Sequence, residues 1–151
     1  KNVFTWARQV NPSQPLTSGI WSPPLFHKFQ LENSDIITYH NYRHVDEHKK
    51  MVDRLRKEYG RPMLCSEYMA RSRASLFQTI LPMLKKEHVG AINWGFVAGK
   101  TNTIFAWDTP VKDGKEPSLW FHDIFRKDGT PFSEDEVKTI KALTAKLPVK
   151  K

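Results

Sequence analysis

RPMLCSEYMAR, residues 61–71, begins at a turn proline and runs into a polar cluster. After Pro62 comes a short apolar run, Met63-Leu64-Cys65, which stops at Ser66-Glu67-Tyr68. Such a run, bounded by turn and polar residues, reads as a fully buried strand whose carboxyl end opens into a polar site. In parallel α/β sheets and barrels, ligands lie beyond the carboxyl ends of the strands, so Glu67 occupies the place of a catalytic carboxylate. The competing reading is a glutamate that merely starts a surface loop. The neighbouring segments bear on that choice.

Downstream of this stretch, Ser75 and Gln78 form a possible capping box for a helix that buries Phe77, Ile80, Leu81 and Leu84, with Pro82 inside it. Val89 to Val97, VGAINWGFV, is a further strand candidate ending near Trp94. A polar loop from Ala98 to Glu116 carries Trp107, a short helix is expected around Ser118 to Phe125, and Ser133 with Glu136 caps a last helix to about Leu147. Upstream, Val3, Trp6, Ala7 and Val10 have helical spacing, Leu16 to Ile20 is a strand candidate ending at Trp21, and residues 22–32 read as a loop or short helix. Asp35 to His40 is rich in β-branched residues and stops at His40-Asn41-Tyr42. From Asp46, the expected N-cap, to Tyr59 apolar positions recur at three and four, and Gly60 suits the helix C-terminus.

Strands starting near residues 16, 35, 63 and 90, joined by helices, imply parallel pairing. Four strand-helix units are half of a (β/α)8 TIM barrel, which needs about 250 residues in full. The expected fold is therefore α/β, with residues 1–151 as the C-terminal half, strands five to eight, of such a barrel. No glycine-rich phosphate loop follows any strand, which weighs against nucleotide binding.

Composition narrows the partners. A chain of 151 residues with 39% apolar residues can build one real core, and its apolar runs are far shorter than the roughly 20 residues of a spanning helix, so no membrane partner is expected. The net charge of +8 invites nucleic acid. Its charges are dispersed, however: Lys49, Lys50, Arg54, Arg56 and Lys57 mix with Asp53 and Glu58, and Lys146, Lys150 and Lys151 read as a solvated tail. No nucleic-acid partner is expected. Cys65, the single cysteine, excludes an internal disulfide and reads as a small buried hydrophobe.

Each strand candidate ends in a group suited to sugar chemistry: Trp21, then His40 with Tyr42, then Glu67 with Tyr68, then Trp94. Indole faces stack on pyranose rings, a tyrosine hydroxyl can orient a carboxylate, and an ionised glutamate can attack an anomeric carbon. Trp21, Trp107 and His122 either line the cleft or pack in the core, and the sequence leaves both open.

On these residues the chain resembles the clan A glycoside hydrolases, most closely the cellulase, mannanase and xylanase type of family 5 and its family 2 relatives. The resemblance implies that Glu67 in LCSEYMAR is the nucleophile, that Tyr42 of His40-Asn41-Tyr42 contacts it, and that Trp94 floors the subsite of the attacked sugar. It implies a carbohydrate substrate, no cofactor and no metal, and extracellular or periplasmic work on a β-linked polysaccharide. The departure from the family is that retaining hydrolysis uses two carboxylates about 5 to 5.5 Å apart. The family's acid/base glutamate follows an asparagine at an earlier strand end, and the chain contains no such pair ahead of its first helix. The expectation is a truncated chain, with the other half of the barrel missing upstream and little activity by itself.

Two rivals stand beside this reading. His44-Val45-Asp46-Glu47-His48 matches the H-x-x-E-H zinc-peptidase pattern, although a helix starting at Asp46 would leave His44 outside it. The other rival is a non-catalytic carbohydrate-binding or structural half barrel.

Overall fold

Three short strands, β1 (Ile37–His40), β2 (Met63–Glu67) and β3 (Gly90–Ala91), form a parallel sheet in that order. The computed structural model describes residues 2–108, 111 and 113–145. Five α-helices accompany the sheet among these residues: α1 (Asn2–Gln9), α2 (His27–Asn33), α3 (Val45–Tyr59), α4 (Phe77–Lys86) and α5 (Glu134–Thr144). The architecture is a small α/β domain and not the half barrel expected from the spacing of the strand candidates.

The reason lies in the two outer candidates. Residues 16–20 do not join a ladder. The Leu16 and Asp35 backbones are tied to each other and to the Asp35 carboxylate, the Ser18 amide donates to the Ser34 hydroxyl, and Ile20 alone makes a parallel bridge with Tyr39. At the other edge β3 spans only Gly90–Ala91, and four residues on the chain turns at Gly95, whose φ of 86° lies in the left-handed region. A Cβ there would stand 2.7 Å from that of His122, so the close approach of these two segments also requires glycine. Val97 makes an isolated bridge with Phe125 instead of extending the sheet.

The core lies between the sheet and its helices. α3 turns His48, Val52 and Leu55 inward, and α4 contributes Phe77, Ile80 and Leu84, packing against Ile37, Tyr39, Met63 and Cys65. α3 ends at Gly60 in the left-handed conformation, with Arg56 and Lys57 in its last turn and Asp46 and Glu47 in its first, as the helix dipole favours. Its cap is His44, not Asp46. α1 buries no side chain: Val3, Trp6 and Val10 of its expected apolar face are exposed, while Arg8 fastens it to Asp35 by paired hydrogen bonds of 2.7 and 2.8 Å. No helix among the described residues is long and apolar enough to cross a membrane.

Three further expectations are corrected. Leu76, not Ser75, caps α4, and Ser75 is buried against the loop after Glu67. Residues 118–125 are not helical. Trp120, Phe121, His122, Asp123 and Ile124 are all buried, and a helix with one apolar stripe cannot bury five consecutive side chains. Ser133 does cap α5 by accepting from the Glu136 amide, but the Glu136 carboxylate leaves the cap and pairs with Arg71. The expected tail lysines, Lys146, Lys150 and Lys151, and the final turn toward Leu147 lie outside the described residues.

Candidate active site

β1 and β2 run in register from Ile37 opposite Met63 to Tyr39 opposite Cys65, and then the ladder slips. Continued regularly, His40 would face Ser66. The irregularity sets it opposite Glu67 instead, while the Ser66 hydroxyl donates to the Tyr39 carbonyl at 3.3 Å. Inserting a residue into one strand re-aims the side chains beyond it. Here the slip brings the ends of β1 and β2 together as a polar group.

His40 Nδ1 lies 3.1 Å from Glu67 Oε2, and two residues beyond the strand the Tyr42 hydroxyl donates to the same oxygen at 2.7 Å. Among the described residues, hydrogen bonding falls on Oε2 and leaves Oε1 unengaged. The Glu67 side chain is 23% exposed, enough for a ligand to reach it. Tyr42 is buried, and burial first, then its bond to Glu67, raise its phenol well above the usual range. It therefore remains a donor at any working pH.

The Tyr42 ring is wedged between two indoles, Trp21 edge-on at 5.7 Å and Trp107 edge-on at 4.8 Å, with the His122 ring at 5.5 Å. Such edge-to-face contacts fix a ring's orientation and are worth about 0.5–1.5 kcal/mol each beyond the area they bury. Trp21, Tyr42, Glu67, Trp94 and Trp107 together line a cleft of about 360 Å³. It shares Trp21, Tyr42 and Trp107 with a larger one of about 750 Å³ that adds His40, Arg43, Met51 and Arg73. Trp94 is held there by its amide, which donates to the Tyr68 carbonyl at 3.1 Å. The three indoles are each about half exposed. Trp21, His40, Tyr42, Glu67, Trp94 and Trp107 thus line one or both of these adjoining clefts, whereas Tyr68 and His122 are buried and line neither.

No protein-family model and no curated protein matches this chain.

The zinc pattern comes apart in the fold. His48 is fully buried with Nε2 3.0 Å from the Tyr39 hydroxyl, whereas His44 is half exposed beyond the helix, its Nδ1 facing Asp46. Among the described residues no group of three or more His, Cys, Asp or Glu side chains is placed to hold a metal ion. Cys65 is buried, and its thiol is pushed up to about 12 by burial, so it is no nucleophile at neutral pH.

Other residues that support the site carried no legible signal in the sequence. The loop after Glu67 turns at Met69, a non-glycine residue with φ 75°. Such backbone costs on the order of 1–3 kcal/mol and persists only where its surroundings over-determine it. The Met69 amide donates to the Ser75 hydroxyl at 3.3 Å, and its carbonyl lies 2.6 Å from His122 Nδ1. Two residues on, buried Arg71 donates to the Glu136 carboxylate at 2.6 and 2.9 Å and to the Trp120 and Asp123 carbonyls at 3.0 and 2.9 Å, its guanidinium 4.5 Å from the Phe132 ring centre.

Proposed function

We propose that Glu67 is the nucleophile of a retaining β-glycoside hydrolase that acts on O-glycosyl bonds of a β-linked oligosaccharide or polysaccharide, similar to the clan A enzymes of families 5 and 2. The observation that carries this reading is a partly exposed carboxylate, oriented by a buried tyrosine, at the base of a cleft walled by three indoles. A pyranose offers such a cleft an apolar face for the indoles and an anomeric carbon for the carboxylate.

On this reading an oxygen of Glu67 forms a bond to the anomeric carbon as the bond to the leaving oxygen breaks, and that oxygen departs with the electron pair. Water then attacks the glycosyl ester and frees Glu67. For natural glycosides the leaving oxygen also needs a proton from a second carboxylic acid. Glu67 is the one carboxylate among the described residues that line the smaller cleft, so the acid is a group outside that set.

A second reading, carbohydrate binding without cleavage, is favoured by that lone carboxylate. One experiment separates the two. Activated 2-deoxy-2-fluoroglycosyl fluorides of gluco, manno and xylo configuration need no acid to leave, and they stall as a stable ester on a retaining nucleophile. The 151-residue chain should gain one glycosyl unit in its intact mass, mapped to the peptide containing Glu67, and E67Q should gain none. If E67Q is labelled as fast as the wild-type chain, the nucleophile assignment is wrong. Tight sugar binding without any labelling would favour the binding module.

A further inference from the structure

His122 lies 55 residues beyond Glu67 and does not line either cleft, yet it touches both structures on which Glu67 depends. Its Nδ1 stands 2.6 Å from the carbonyl of Met69, and a carbonyl only accepts, so Nδ1 carries the proton. Its ring packs against the Tyr42 ring, 5.5 Å between centres, and against Trp107 at 5.3 Å. It is 1% exposed, and its second nitrogen, Nε2, is buried with no hydrogen-bond partner among the described residues.

An unpaired buried nitrogen is a cost that a phenyl ring would avoid. What the imidazole supplies in its place is the Nδ1–H bond to Met69. That bond and the Ser75 hydroxyl clamp opposite sides of the left-handed residue two positions after Glu67. Burial lowers the imidazole's basicity and so favours the neutral ring, while the Met69 carbonyl selects Nδ1 as the protonated nitrogen.

We infer that His122 is a positioning residue for Glu67: it fixes the Met69 turn through Nδ1 and the Tyr42 ring through its face, setting the carboxylate and its hydroxyl donor relative to one another. This rests on the reading of Glu67 as a nucleophile. Displacements of an ångström at a reacting group cost about 100-fold in rate, so loss of the clamp should be visible in the chemical step.

The test pairs two amides. An asparagine side-chain nitrogen stands in for His Nδ1 and a glutamine nitrogen for Nε2, so H122N keeps the donor to Met69 and H122Q does not. Labelling of Glu67 by the fluoroglycosyl fluorides should be about 10- to 100-fold slower in H122Q, with reagent affinity unchanged, and largely restored in H122N. A merely structural role would slow both variants in step with their melting temperatures, and that result overturns the inference. In wild-type protein, nitrogen NMR should show His122 as the neutral Nδ1–H tautomer, and the Nε2–H form would also overturn it. Absence of labelling in the wild-type chain overturns the nucleophile reading and the His122 role with it. Labelling in wild type with equal rates in the two variants overturns the His122 role alone.

Discussion

The hydroxyl of Tyr42 reaches the carboxylate of Glu67 at 2.7 Å, joining a residue two positions past one strand to the last residue of its neighbour. Hydrogen bonds to charged groups contribute about 1.5–3 kcal/mol. If that bond is needed in the transition state, Y42F should slow labelling of Glu67 by about 10- to 100-fold while the indole-lined cleft still binds sugar. Time-resolved intact-mass measurements give the rate, and tryptophan fluorescence gives the binding.

Acid should destabilise the domain through His48. Burial depresses this imidazole from 6.5 to about 4, so the unfolded chain takes up a proton in that interval before the folded one does. The contribution is complete above pH 6.5 and is lost as pH falls toward 4, up to about 3 kcal/mol at about 1.36 kcal/mol per pH unit. Urea titrations across this range should show the loss, and H48Q, which keeps a partner for Tyr39 but cannot be protonated there, should flatten it.

The pair of Arg71 and Glu136, with side chains 3% and 6% exposed, should be costly to break from one side. Removing one partner of a buried ion pair costs about 3–5 kcal/mol, because the other is left charged and dry. E136L and R71M should each lower the urea midpoint steeply, and the double change R71M/E136L should cost less than the two single changes combined.

Cys65 should be silent toward thiol reagents in the folded protein. With its thiol buried and pushed up to about 12, modification at pH 8 should proceed only as fast as the chain opens, and the rate should jump in denaturant.

The sheet's two central strands were legible because β1 and β2 are short apolar runs that end abruptly in polar residues, a pattern local to a few positions. The same feature marked Glu67, Tyr42 and His40. What the sequence could not show was the slip after Tyr39 that sets His40 opposite Glu67, since register depends on the neighbour as much as on the strand itself. The outer strands misled because hydrophobic alternation does not reveal where amides are satisfied by side chains, as with Asp35 and Ser34 at residues 16–18. Ser75 and Glu136 both matched capping patterns, but tertiary partners, Met69 and Arg71, outcompeted the local ones. His122 lay within a segment read as a helix, and its partner is 53 residues away.

Arg71 gives the far end of the fold a say in the geometry near Glu67, since from the turn that follows β2 its one guanidinium grips both α5 and the carbonyls of Trp120 and Asp123. A protease nick or a bulky fusion that peeled α5 away would therefore not be a remote edit. It would unfasten the hinge pin behind the carboxylate, and the disturbance would reach Glu67 from a helix 67 residues down the chain.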